Sequence, residues 1–262
     1  MERITIGPDG RTFSRGGRPW FYLADTAWSG VTNPTDDEWE RYLDRRAEQG
    51  FTAIQINVLP QWDRSPSQIA VQPFARKPDD TYDFRRLNDD YLELVGRRLA
   101  SIAARGMMPV PVLLWCNYVP DTWASNRRPG DVMPEEALEA YLRAAVRTAR
   151  PHGPIYFVSG DTDFRTERSI SYYRTGLRIA KEEDPAALTT LHLKGQLTEI
   201  PAAIREMDQL DFYTFQSGHG PESWVTSPEL ARALRATTPA RPVVNAEPCY
   251  EGHGLGRAEG RF

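Results

Sequence analysis

Cysteine and histidine are scarce in this sequence. Its two cysteines, Cys116 and Cys249, stand far apart and form no CxxC pair and no zinc spacing. Both read as small half-buried residues, with a bridge between them left open. The four histidines (His152, His192, His219 and His253) form no HxH and no HExxH, so the chain lacks a histidine-rich metal motif. No GxGxxG follows the first long strand, where "ADTAWSG" stands instead, and no Gly-rich loop precedes a Lys-Ser/Thr pair. Ser159, in "FVSGD", is not in a GxSxG elbow. Dinucleotide, P-loop and serine-hydrolase chemistry therefore all lose their sequence support, and no cofactor is expected.

Long apolar runs are missing as well. No stretch approaches the ~18 residues of a membrane span, and "MERITIGPDG" has no apolar core of a signal peptide. The expectation is a soluble chain with no membrane partner. As it stands it reads as cytoplasmic, or as periplasmic or secreted if a leader precedes it. Net charge is -4 and no basic patch stands out, which argues against nucleic acid as a partner. There is no linker, low-complexity segment or repeat beyond a strand-helix period. Residues 1–262 read as one domain, long for an ordinary fold but normal for an α/β barrel.

What is present is a strand-helix alternation. The opening "ITIGPDGRTFSRGGRPW" reads as short strands joined by turns, with a hairpin over residues 12–18 that caps one end. "WFYLAD" is an apolar run ending in Asp25. The helix "TDDEWERYLDRRAEQG" follows, with Thr35 and Glu38 spaced as a capping box and Gly50 as its stop. "FTAIQINV" is a strand. After a long loop come the helix "LNDDYLELVGRRLASIAARG", the strand "MMPVPVLLW" and the helix "PEEALEAYLRAAVRTAR", with Pro134 in its first turn. Four more strands follow: "PIYFVSGD", "LTTLHL", "LDFYTFQSG" and "RPVVNAEP". Between them lie helices over "TERSISYYRTGLRIAKEED", "IPAAIREMD" and "SPELARALRATTP". The strands are continuous apolar runs, the mark of a parallel sheet buried on both faces. The fold class is α/β, a (β/α)8 TIM barrel with a short N-terminal β-hairpin. A doubly wound open sheet is the rival, disfavoured by the missing phosphate loop. Seven barrel strands are accounted for. No eighth is left to predict before Phe262, so the chain closes with the hairpin's help or is a C-terminally truncated piece.

Barrel enzymes place their chemistry at the C-terminal ends of strands. There the sequence offers Asp25 and Trp28, Gln55 and Asn57, Trp115 and Asn117, Asp161 with Asp163 near, His192 and Lys194, Gln216, Ser217 and His219, and Asn245, Glu247 and Tyr250. Each has a plainer reading. Asp25 anchors backbone amides equally well, Gln55, Asn57 and Gln216 fit a buried polar layer, and single histidines are more often structural. Five of the seven tryptophans nonetheless fall in or beside loops on this face, Trp28, Trp62, Trp115 and Trp123 among them. Aromatic rings suit the apolar faces of sugars, and amides, Asp and His suit their hydroxyls. Two carboxylates stand out. Asp161 ends the fourth barrel strand and Glu247 the seventh, and those strands face each other across a barrel mouth. Glycoside hydrolysis needs such a pair about a scissile bond. Glu251 lies beyond Pro248 and reads as a loop residue.

Taken together and in order, "GRPWFYLADTAW", "RRAEQGFTAIQINV", "FVSGD", "FQSGHG" and "NAEPCYEG" resemble the apiosidase-like catalytic domain family, glycoside hydrolase family 140 and its relatives. The resemblance covers nearly the whole chain. It implies a (β/α)8 barrel, and its characterised activity is release of apiose from a side chain of the pectin rhamnogalacturonan II. By position it implies Asp161 as acid/base and Glu247 as nucleophile of a retaining exo-glycosidase. Asp25, Trp28, His192, Gln216 and His219 would line the sugar subsite, and Gln55, Asn57, Trp115 and Tyr250 are added to that set as substrate-binding candidates. This chain departs from the family in two ways. It lacks the eighth strand and the β-rich segment that usually follow, and "SGDTDF" is less Gly-rich than the family form, so the sugar need not be the same. Two other readings stand beside it: a catalytically impaired carbohydrate-binding barrel, and a metal-dependent barrel hydrolase using Asp25, His192 and His219.

Overall fold

A computed structural model describes residues 2–61, 71–220 and 223–250. The short apolar runs form parallel strands. β5 (Ala53–Asn57), β8 (Met108–Trp115) and β9 (Tyr156–Gly160) are buried at every residue, as strands covered on both faces must be. They make the centre of a five-stranded parallel sheet. β4 (Ala24–Thr26) lies on one edge and β10 (Thr189–Thr190) on the other, in the order β10-β9-β8-β5-β4. β11 (Tyr213–Gln216) and β12 (Val243–Glu247) form a separate parallel pair. Hydrogen bonds join the two sheets on both sides. The Asp211 amide donates to the Thr189 carbonyl at 3.0 Å and the Gln196 amide to the Gln216 carbonyl at 2.9 Å. Opposite, the Gln55 side-chain amide donates to the Ala246 carbonyl at 2.9 Å. Among the described residues seven parallel strands are thus present, as the sequence leads one to expect, in an α/β arrangement.

The helices start where cap chemistry allows. α1 (Asp36–Glu48) opens on a complete capping box, Thr35 and Glu38 each bonding the other's backbone amide. Acidic residues in its first turn and Arg45 and Arg46 in its last match the helix dipole. α2 (Asp89–Ala104) is capped by Asn88, and α4 (Glu167–Glu183) by a second box, Thr166 with Ser169. α3 (Glu135–Ala149) follows Pro134, which sits at the N-cap rather than inside the first turn. α5 (Ala202–Arg205) is a single turn, and α6 (Ser223–Arg235) begins a turn earlier than expected, with Pro228 inside it.

Two regions differ from expectation. The N-terminal hairpin is part of a three-stranded antiparallel sheet of β1 (Ile4–Ile6), β2 (Phe13–Arg15) and β3 (Arg18–Trp20). Phe13 meets Phe212, just before β11, edge-on at 5.2 Å between ring centroids. Arg3 pairs with Asp184 at the end of α4 at 2.9 Å. The sheet therefore covers the N-terminal ends of the strands and leaves the C-terminal ends free for chemistry. The expected long loop after β5 also contains an antiparallel pair, β6 (Phe74–Arg76) and β7 (Tyr82–Leu87). Phe74, Tyr82 and Phe84 pack together there.

One glycine has a packing reason. A Cβ built on Gly160, the last residue of β9, would lie 2.1 Å from the Trp115 ring. Gly160→Ala is expected to cost about 1–3 kcal/mol, because the ring has nowhere to go in a packed wall. Thermal unfolding measures the loss, and an unchanged melting temperature would show that Trp115 has another seat.

Candidate active site

Glu247 is the last residue of β12. A register shift between Phe215 and Gln216 sets Gln216 opposite Glu247, and such bulges re-aim side chains at the ends of ladders. The next turn is tied to the same strand. The Gly218 amide donates to the Glu247 carbonyl at 3.2 Å, and Asn245 Nδ2 donates to Ser217 Oγ at 3.0 Å. These bonds bring His219 over the carboxylate, with its Nε2 3.0 Å from Oε1. The Tyr250 hydroxyl donates to the same oxygen and accepts from Trp28 Nε1 at 2.6 Å. On the other side His192 Nε2 stands 3.2 Å from Oε2. Its N–H points off the line to that oxygen, so this contact is an electrostatic one more than an aligned hydrogen bond. Burial opposes charge on Glu247. The neighbouring His192, His219 and Tyr250 overcome it and hold the carboxyl at about 2.

Asp161 follows β9 and leaves its ladder in the left-handed region, at φ 55°. Aspartate is among the few residue types that visit this region, and such strain gathers at functional sites. Three bonds hold the excursion. The Asp161 amide donates to His192 Nδ1 at 3.1 Å, Trp123 Nε1 donates to the Asp161 carbonyl at 2.9 Å, and the Thr162 amide returns to the His192 carbonyl at 3.1 Å. The carboxyl is pushed up to about 7. Burial is the main cause, opposed by Lys194 and reinforced by the charges of Glu247 and Asp163. Two carboxylates of one site are thus driven apart, one kept protonated near neutrality and one always ionised.

Of the residues expected to line a sugar subsite, His219 and Tyr250 are at the site but are engaged with Glu247. Trp28 is half-buried and belongs to the same relay. Several others take different places. His192 is 0% exposed and walled by Trp28, Trp115 and Phe157, with centroids 5.3, 6.0 and 6.0 Å away. It is in contact with Asp161 and Glu247 from within this wall. Trp115 is buried against Gly160 and His192 rather than presented as an open ring. Gln55 belongs to a buried polar layer, accepting from the Tyr22 hydroxyl at 3.0 Å while its amide holds Ala246. Gln216 is buried beside Gly195. Asn57 and Asn117 are buried too, and neither side-chain amide has a hydrogen-bond partner among the described residues. Trp62, Glu251 and His253 lie outside the described residues.

Asp25 is an anchor. Its Oδ1 accepts from the Thr26 amide at 2.9 Å and its Oδ2 from the Tyr42 hydroxyl at 2.7 Å, and Oδ2 forms an ion pair with Arg46 Nε at 2.5 Å. It is committed to α1 and not to the two histidines. Among the described residues no group of three or more His, Cys, Asp or Glu side chains could hold a metal ion. Asp25→Ala is therefore expected to destabilise by about 1–3 kcal/mol, the cost of leaving buried polar partners unmet, while KM changes little. A large rise in KM at unchanged melting temperature would return Asp25 to the subsite. Sequence reasoning missed the Trp28–Tyr250–Glu247 relay. Its signal was the spacing of Tyr250 three residues past Glu247, across Pro248.

Among the described residues no helix is long and apolar enough to cross a membrane. No curated protein matches the chain in sequence. Solved structures do match in fold. A glycoside hydrolase family 5 protein from Bacteroides vulgatus ATCC 8482 superposes with TM-score 0.74 at 21% identity, covering 95% of this chain and 54% of that one. The endo-1,4-β-mannanase of Rhizomucor miehei gives TM-score 0.65 at 12% identity, covering 92% and 80%. An exo-β-1,4-mannosidase from Opitutaceae bacterium strain TAV5 gives 0.60 at 16%, covering 91% and 47%. The chain spans about half the length of the first of these. At such identities the likeness is one of fold. The sequence pattern goes further, because the profile of the apiosidase-like catalytic domain matches residues 8–261, from the N-terminal sheet past both carboxylates. This chain belongs to the apiosidase-like catalytic domain family.

Proposed function

We propose that the protein is a retaining exo-glycosidase acting on a side chain of a plant-type or other complex polysaccharide, built as one (β/α)8-type catalytic domain. The observation that carries this reading is the divergence of the two carboxyls, Asp161 at about 7 and Glu247 at about 2. Glu247, ionised, attacks the anomeric carbon. The glycosidic C–O bond breaks as Asp161 gives its proton to the leaving oxygen. Asp161, now ionised, takes a proton from water, and that water displaces Glu247 from the sugar with a second inversion. His219 and the Tyr250 hydroxyl keep Glu247 charged before attack, and must release it as the ester forms. The family and the glycoside hydrolase neighbours support the class of reaction. The sugar is the proposal's open variable, and a panel of pectic and hemicellulosic oligosaccharides is the natural search.

The stereochemical course tests the mechanism. Proton NMR of the first-formed product is expected to show the anomer of the substrate, and a 2-deoxy-2-fluoro glycoside is expected to add one sugar mass at Glu247. A first-formed product of opposite configuration would make Glu247 a base for water and end the retaining mechanism.

A further inference from the structure

One side chain touches both halves of the pair. His192 accepts the Asp161 amide proton at Nδ1, 3.1 Å away, and its Nε2 lies 3.2 Å from Glu247 Oε2. An imidazole nitrogen that accepts cannot also carry a proton. The bond from Asp161 therefore fixes the neutral tautomer with hydrogen on Nε2, the face turned to Glu247. The backbone gives the ring no slack. The His192 amide bonds both the carbonyl (3.2 Å) and the hydroxyl (3.1 Å) of Ser159, and its carbonyl accepts from Thr162 at 3.1 Å. Trp28, Trp115 and Phe157 close the ring's sides. The polar groups at its nitrogens are the Asp161 amide and the Glu247 carboxylate, and Lys194 acts on Asp161 while His219 and Tyr250 act on Glu247. The ring is fully buried.

Resting on the retaining reading above, we propose that His192 is a positioning residue with two separable duties. Nδ1 holds Asp161 in its left-handed backbone, so that the carboxyl is presented to the leaving oxygen. Nε2–H supports the charge of Glu247. A doubly protonated ring would set N–H against the Asp161 N–H and release the acid. The neutral ring is thus a requirement of the geometry.

Two substitutions separate the duties. Asn places an acceptor where Nδ1 stands and removes the distal donor; Gln places a donor where Nε2 stands and removes the proximal acceptor. His192→Gln is expected to lose about ten-fold or more on glycosides with poor leaving groups relative to 4-nitrophenyl glycosides, because proton donation is what it disturbs. His192→Asn is expected to keep the wild-type leaving-group dependence. Its acidic limb of kcat/KM should instead move up by about one pH unit or more, because a charge-supporting donor is gone. Equal losses on both substrate kinds, with neither limb moved, would reduce His192 to packing and overturn the proposal. A readout that needs no turnover accompanies these. Long-range proton-nitrogen correlation on protein with nitrogen-15 histidine is expected to show the Nε2–H tautomer of His192 near neutral pH. A proton on Nδ1 overturns the proposal even if both variants fail to fold. If no glycoside is hydrolysed while the tautomer is as expected, the retaining reading fails and the positioning geometry stands.

Discussion

Glu247→Ala is expected to lower turnover by about 10⁴-fold or more, the scale of loss when a covalent nucleophile is removed, and added azide is expected to restore part of it. The carboxylate sits at a strand end, has His219 and the Tyr250 hydroxyl on its Oε1, and is held ionised well below neutrality. The remaining carboxyl, Asp161, is mostly protonated below neutrality and is bound to the opposite strand. It cannot take over the attack. Alanine leaves a space of carboxylate size beside His219 and Tyr250, where a small anion is welcome. Azide there bonds to the anomeric carbon once, and the product is a glycosyl azide inverted relative to substrate. Turnover that persists in the variant without azide would remove Glu247 from the covalent step. Folding must be checked in parallel. The depressed carboxyl contributes stability that is present above its unfolded value of 4.5 and is lost as pH falls through about 2. At neutral pH the variant forgoes roughly 3 kcal/mol, one pKa unit being about 1.4 kcal/mol.

The parts of the fold legible in the sequence are those whose burial is complete. β5, β8 and β9 are mostly apolar and buried at every residue because both faces are covered, and their shortness separates them from buried helices. α1 announces itself through a capping box that the structure forms. The β6–β7 pair was harder. Tyr82 and Phe84 alternate with Asp83 and Arg85, a half-buried strand signal, but the segment lies inside a connection where a loop is the default reading. The sequence places the last helix over "SPELARALRATTP", from Ser227. The turn before it, from Ser223, carries no cap that the sequence advertises.

The candidate site divides in the same way. Asp161 and Glu247 were legible because each closes an apolar run, and a carboxylate at such a tip needs a reason. The amides were not, because a glutamine that binds sugar and one that ties two strands look alike in sequence. Gln55 is decided by Tyr22 and by Ala246, a residue 191 positions away. Asp25 could have been settled sooner. Tyr42 and Arg46 are one helical turn apart, so one face of α1 offers both a hydroxyl and a guanidinium to a single acceptor. The family resemblance puts His192 among the residues that line the sugar subsite. The rings of Trp28, Trp115 and Phe157, from three different segments, close it off.

Asp161→Asn tests the other carboxyl, and its expected result has opposite signs for activity and stability. Asparagine tolerates the left-handed backbone at φ 55° about as well as aspartate, so the loop is kept. It carries no proton to give. Turnover of poor leaving groups is expected to fall by about 10²–10⁴-fold, the usual contribution of a general acid. In the wild type, kcat/KM should fall as pH rises through about 7, where Asp161 ionises; in the variant this limb should vanish. Stability runs the other way. A carboxyl raised from 3.8 to about 7 by folding contributes stability that is fully present below 3.8 and lost as pH rises through about 7. Above that the wild type carries a buried charge next to Glu247, and the variant does not. The advantage of the variant should therefore grow between about pH 4 and pH 7, reach the order of 4 kcal/mol, and stay level beyond. Thermal unfolding across that range reads it directly. A melting-temperature difference that does not change with pH would mean that Asp161 ionises in the folded protein as easily as in the unfolded chain. It would then have no proton to donate near neutrality, and the division of labour between the two carboxyls would collapse.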